Sequence, residues 1–315
     1  MNSSYSRKFE HGRSLFCAAA VLMGLLFALG SATRLHAQAS GWEGETGVFV
    51  TPLAYTASSE TQKFHPVVAY HYLNAGSVIG DFHETSIELG VGKRIEFGYE
   101  HEFHVFGSNT DLSYLWQDGF DIFNGKLIVL PENSFKTKWI PAVSGGFLIR
   151  PNVRNVGNFV EMLGQTQPYK MGGKHNEDFY GVATKLIPIK YVPILLTGGV
   201  RGTNAELWGM GGNAPDWKAR AFGSVAFIFK GPGKSSIVFA SEAAQQPHHP
   251  YNFDGKNGTT PLNIPTTITY AVRVTPISKY KLNFDLGVAQ IAGRVNPAVD
   301  LKARHQVGVQ MTYGF

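Results

Sequence analysis

Between Ser86 and Gly107 the chain reads SIELGVGKRIEFGYEHEFHVFG, an alternation of apolar and polar residues with a period of two. Ile87, Leu89 and Val91 alternate with Glu88 and Gly90. Ile95, Phe97, Tyr99, His101, Phe103 and Val105 then alternate with Arg94, Glu96, Gly98, Glu100, Glu102 and His104. Successive side chains of a strand point to opposite sides, so this pattern gives a β-strand one apolar and one polar face. Gly92-Lys93 between the two runs predicts a tight hairpin. The alternation returns at Val225/Phe227/Phe229, Ile237/Phe239, Ile268/Tyr270/Val272/Val274 and Leu282/Phe284/Leu286/Val288. A chain built of such segments needs a medium for each face.

The spacing predicts twelve strands, at 66–73, 84–92, 94–106, 121–130, 138–150, 178–188, 191–202, 219–230, 235–244, 266–276, 280–291 and 304–315. Many have the length of roughly 10 residues that crosses a bilayer core when tilted. Short connections fall near Gly92-Lys93, Pro131–Thr137, Ile189-Lys190, Gly231-Pro232-Gly233 and Ser278-Lys279. Long ones fall at 107–120, 151–177, 203–218, 245–265 and 292–303. An even strand number with short turns at one end and long loops at the other predicts an all-β, transmembrane, antiparallel up-and-down barrel. Closure also removes the unpaired edge that lipid does not tolerate.

The first residues read as a leader. Arg7, Lys8 and Arg13 precede an apolar run from Leu15 to Leu29, and Ala37-Gln38-Ala39 supplies small residues for cleavage before Ser40. Residues 1–39 are thus expected to be a signal peptide, 40–65 a lumen or periplasmic piece, and 66–315 the barrel. Cys17 lies in the leader and is the single cysteine, so the exported part has no disulfide and no thiolate. The formal net charge is +5. Arg7, Lys8, Arg13 and Arg34 against Glu10 place +3 of it in the leader, leaving +2 for the rest. No basic stripe argues for nucleic acid.

The chain ends HQVGVQMTYGF, with Val307, Val309, Met311, Tyr313 and Phe315 on one face. This ending resembles that of bacterial outer-membrane β-barrels, whose terminal Phe and preceding alternate apolar residues are their assembly signal. The resemblance implies an outer-membrane location, lipid contact and the barrel-assembly machinery as a partner. The segments KWIPAVSGGFLIRPN, DFYGVATKL and VRGTNAELWGMGGN are in addition similar to an uncharacterised barrel family of unknown function, which brings no activity.

Turning each polar face inward places Glu88, Glu96, Glu100 and Glu102 on an early lumen wall. It places Lys185, Arg201, Arg220, Arg273 and Arg304 on a later one, with Glu242 and Asp285 interspersed. Opposed walls across an aqueous gap would set ion selectivity; the same charges paired across a small barrel would plug it. Both arrangements stay open at this stage. So does the role of residues 46–57, TGVFVTPLAYTA, which either enter the lumen as a thirteenth segment or mean that the first strand is placed wrongly at 66–73. His101 on the lipid-facing side departs from the pattern.

Catalytic signatures are absent from the sequence. GPGKSS (231–236) lacks the first glycine of a phosphate loop, having Ile228 there, and reads as a turn. His248-His249-Pro250 has no carboxylate at ligand spacing and reads as a solvated loop. HVFGSN (104–109) has the wrong spacing for the outer-membrane phospholipase motif. Trp139, Tyr191, Tyr280 and Tyr313 near short turns, and Tyr114, Trp116, Trp208, Trp217 and Tyr251 near long loops, fit interfacial belts. The expectation is a non-enzymatic passive channel for small solutes, with no cofactor and no metal. A membrane-embedded hydrolase and a structural barrel displaying binding loops are the alternatives.

Overall fold

The computed structural model describes residues 39–57, 64–110, 115–154, 175–214, 216–251, 260–261, 263–277, 282–295 and 300–315. Twelve strands form a closed barrel. They are β1 (Phe64–Asn74), β2 (Gly80–Val91), β3 (Ile95–Phe106), β4 (Phe120–Leu130), β5 (Ala142–Arg150) and β6 (Asn176–Ile187). β7 (Ile194–Thr203), β8 (Lys218–Lys230), β9 (Ser236–Ala244), β10 (Thr267–Thr275), β11 (Leu282–Gln290) and β12 (Gln306–Gly314) complete it. Each pairs antiparallel with its neighbour in sequence, and β12 closes the ring on β1, with Met311 opposite Tyr70. The all-β, up-and-down architecture expected from the alternation is the one observed.

Local chemistry sets the ends of the strands. Gly92 and Lys93 both have positive φ, 57° and 67°, as the central pair of a turn that matches strand twist, which the Arg94 N–H closes on the Val91 carbonyl at 3.3 Å. β5 starts at Ala142 rather than 138, because Pro141 has no N–H to give the ladder. Residues 231–235 form a turn, closed by the Gly231 N–H on the Ser235 carbonyl at 3.1 Å. β1 and β2 are joined by a helical turn at Gly76–Ile79 at the loop end. The alternation register holds: Ile87, Phe97, Tyr99, Phe103, Phe227, Phe284, Leu286 and Val309 face outward and are exposed. Glu88, Glu96, Glu100 and Glu102 face inward and are buried.

An outer wall this apolar, continuous round the barrel, is far beyond the patch a water-soluble monomer exposes. It is the lipid-facing surface of a membrane-spanning barrel. Trp139 and Tyr191 are exposed at the turn end, where an aromatic belt is favoured. Trp116 and Trp208, expected in such a belt, are instead buried with Trp42, Phe82, Phe120 and Phe222 in an apolar cluster inside the loop end. Trp217 is outward and stacks on Phe179 at 5.8 Å. Tyr114, Tyr280 and the Tyr251 side chain, like residues 1–38 of the expected leader, lie outside the described residues.

Candidate functional site

The lumen is occupied by the chain itself. Residues 39–57 lie inside the barrel, and all but Val50 and Tyr55 are buried. The segment folds on itself, with Ser40 paired to Thr46 and the Trp42 N–H on the Phe49 carbonyl at 2.7 Å. It is not a thirteenth strand of the barrel.

Apolar side chains seat the segment. The Phe49 ring lies over Gly287 and Gly308, paired residues of β11 and β12. A methyl group on either would come within 2.9 or 2.7 Å of that ring. Val48 and Leu53 pack on Leu195, Ala226, Ile228 and Val238, around a void of about 20 Å³. Full burial of side chains such as Phe49 and Leu53 contributes about 1.5–3 kcal/mol each. Gly44 has φ 84°, and a Cβ there would stand 2.9 Å from Asn124 Nδ2. The segment can turn against the wall at this point only without a side chain.

Wall side chains meet its backbone. Glu242 accepts the N–H groups of Phe49, Val50 and Thr51 at 3.1, 3.0 and 2.9 Å, and the Thr51 hydroxyl at 2.6 Å. Successive N–H groups converging on one carboxylate make an anion nest. Glu96 accepts the N–H of Thr46 at 2.7 Å and of Ala57 at 2.6 Å. Lys126 Nζ bonds Glu96 Oε1 at 3.0 Å and the Thr46 carbonyl at 2.8 Å. Arg273 pairs with Asp285 at 2.7 Å and donates to the Val48 carbonyl at 2.5 Å. At the loop-end side, Glu43 pairs with both Arg150 and Arg201, which share Asp178. Trp208 Nε1 donates to Glu43 at 3.0 Å, and the Arg201 guanidinium lies 4.7 Å from the Trp208 ring centroid.

The opposed-wall picture is thus corrected in detail. Glu96, Arg201 and Arg273 are on the lumen face, but they pair locally and with residues 43–57 rather than facing each other across water. Glu88 accepts from Asn124 Nδ2 at 2.5 Å, while Glu100 and Glu102 point inward without hydrogen-bond partners. Lys185 is not on the lumen wall: the inward series of β6 is 176, 178, 180, 182 and 184. Lys185 falls between them, at the turn end, and pairs with Glu132 at 3.0 Å. Arg220 shares the inward parity but reaches the Gln246 carbonyl at the loop end, at 2.9 Å. Arg304 lies outside β12, exposed and 3.6 Å from Asp300. Lys126, Arg150, Asp178 and Glu43 carry the lumen network and were missed. His101 faces outward as the register implies, where it and the Tyr99 hydroxyl bond Asp121 Oδ1 at 2.9 and 2.7 Å.

The loop His248-His249 is not simply solvated. His248 Nε2 meets the Ile264 carbonyl at 2.7 Å. His249 is buried and bonds Asp216 Oδ1 at 2.8 Å, and Lys218 Nζ lies 2.5 Å from the other oxygen. Burial pushes the His249 imidazole below its ordinary value of 6.5, against the pull of Asp216. A folded pKa below the unfolded one means stability complete above about 6.5 and lost as pH falls through the shifted value. Hydrogen-exchange protection at residues 204–214 and 245–249, taken relative to the intrinsic exchange rate at each pH, should therefore fall between pH 7.5 and pH 5. The His249→Phe protein should lose that dependence; an equal pH response in both would rule out His249 as its source.

No family model matches the chain, and no curated protein matches it. The resemblance to an uncharacterised barrel family therefore gains no support. Solved structures with a similar fold are outer-membrane barrels. The crystal structure of the COG4313 outer membrane channel from Pseudomonas putida F1 is 8% identical, with 90% of this chain and 100% of that chain covered and a TM-score of 0.44. The translocator domain of autotransporter NalP from Neisseria meningitidis is 6% identical, covering 82% and 90%, at 0.40. A loop-deleted OmpT of Vibrio cholerae is 11% identical, covering 80% and 98%, at 0.34. Likeness at this level concerns the barrel and says nothing of activity.

Proposed function

We propose that this chain is a non-enzymatic outer-membrane channel for small solutes, held closed by its own N-terminal segment. The continuous apolar outer wall and the leader expected at residues 1–39 support the location. One observation carries the gate: the wall behind residues 39–57 is polar and charged. Glu96, Lys126, Arg150, Arg201, Glu242 and Arg273 satisfy that segment, and without it they would line an aqueous passage. A wall designed only to be filled would be apolar, because burying charge costs more than burying hydrocarbon. Of the open and the plugged lumen, both compatible with the sequence, this reading takes a closed one that opens when the segment leaves.

The test is planar-bilayer conductance of the mature protein and of a protein lacking residues 40–57, each first shown to be folded by heat-modifiable migration. The parent should be silent apart from rare openings, and the deletion should conduct steadily. The paired substitution Glu96→Gln with Glu242→Gln, which loosens both ends of the segment at full length, should raise the opening frequency. A folded deletion barrel that stays silent would overturn the channel and leave a structural barrel.

A further inference from the structure

Four ionisable side chains of the lumen wall form no ion pair with the N-terminal segment. His71 on β1, Glu84 on β2, and Glu100 and Glu102 on β3 stand on adjoining rungs. His71 is paired with Glu84 in register, Glu84 with Glu102, and Ser86 with Glu100. All four are at most 1% exposed. His71 Nδ1 stands 3.5 Å from Glu84 Oε2, but neither ring nitrogen of His71 and no carboxylate oxygen of Glu84, Glu100 or Glu102 makes a hydrogen bond of good geometry. Buried polar groups are rarely left so, and here eight atoms of one cluster are.

Among the described residues no arginine or lysine forms an ion pair with Glu84, Glu100 or Glu102; Arg150, Arg201 and Lys126 are engaged with Glu43, Asp178 and Glu96. One donor atom each from His71, Glu84 and Glu100 lie within 4.8 Å of one another. Ligands about 2.0–2.2 Å from a bound ion stand up to about 4.4 Å apart, so small side-chain rotations would close the set. Trp42 roofs the cluster, its ring centroid 6.1 Å from that of His71.

The geometry points to a divalent transition-metal site made by His71, Glu84 and Glu100, with Glu102 as a fourth oxygen donor. One imidazole nitrogen with carboxylate oxygens suits zinc or manganese better than calcium, which takes oxygen ligands alone. The ion would supply the positive charge that the cluster lacks and would tie β1, β2 and β3 together beneath Trp42. The site lies on the wall and does not depend on whether the barrel conducts.

The test uses the mature chain without an affinity tag, refolded in detergent with Zn²⁺ or Co²⁺, desalted and measured by elemental analysis. The parent should retain one zinc per chain. Folded Glu84→Gln/Glu100→Gln protein should retain about tenfold less or lower still. Should that pair fail to fold, Glu100→Gln alone decides, by the same loss. The Co²⁺ form should show visible bands that shift in His71→Asn, a change that mere packing would not cause. A parent that retains no stoichiometric metal overturns the site. So does a folded variant that retains as much as the parent.

Discussion

Glu43→Gln is expected to destabilise the folded barrel by about 3–5 kcal/mol, the cost of leaving a buried charge without its partner. Glu43 and Asp178 together balance Arg150 and Arg201, and all four are buried. Removing the Glu43 charge leaves two guanidinium groups on one carboxylate, with an excess positive charge inside the lumen. Arg201→Met should cost a similar amount by leaving the excess negative. The double variant restores neutrality, with Arg150 on Asp178, so it should cost clearly less than the sum of the two. The measurement is the guanidinium unfolding midpoint in detergent for all four proteins. Additive costs, or a Glu43→Gln protein as stable as the parent, would show that these charges are solvated rather than buried.

The barrel was legible because lipid enforces period-two alternation on the outward face of each strand. Tyr99, Phe103, Phe227, Phe284, Leu286 and Met311 announce their orientation, and everything out of phase with them points inward. That rule placed Glu96, Glu100, Glu102, Arg201 and Arg273 on the lumen face. The two misplaced cations lie at strand ends, where the pattern runs out: Lys185 has the parity of the exposed Phe179 and pairs with Glu132 at the turn end, and Arg304 precedes the strand altogether.

The contents of the lumen were harder to read, for two physical reasons. In β4 and β5 both faces carry apolar residues, because the loop end of the lumen is an apolar core. Ile122 and Leu148 face inward while Phe123 and Phe147 face outward, so parity is not visible at Lys126 and Arg150. The second reason is distance along the chain. Glu43 lies more than a hundred residues from Arg150 and Arg201, and no local pattern connects them. The nearest sequence signal was the glycine at inward positions 287 and 308, which leaves the floor on which Phe49 rests. His71 and Glu84 could have been found by extending the parity of Tyr70 and Ile87 toward the loop end.

Val309→Arg is expected to be the most damaging single change on the closing strand, and its cost should depend on depth. Val307, Val309, Met311 and Tyr313 all face outward and are exposed. Val309 stands midway along β12, between Leu286 of β11 and Tyr72 of β1. An arginine there should cost about 2–4 kcal/mol, because its charge must reach water from the hydrocarbon centre. Tyr313 is one residue from the end of the strand, where an arginine can reach the headgroups and should cost about 0–1 kcal/mol. Phe315 lies past the ladder, its N–H on the Pro66 carbonyl at 3.0 Å and its ring edge-on to Tyr313 at 4.9 Å. Deleting it removes little buried area, so the finished barrel should keep nearly its full stability. If the terminal aromatic is read by the assembly machinery, the same deletion should sharply slow insertion in cells. Unfolding from lipid vesicles gives the first two quantities, and pulse-chase appearance of the heat-modifiable form gives the third. Equal costs at Val309 and Tyr313 would mean that β12 does not cross the bilayer in this register.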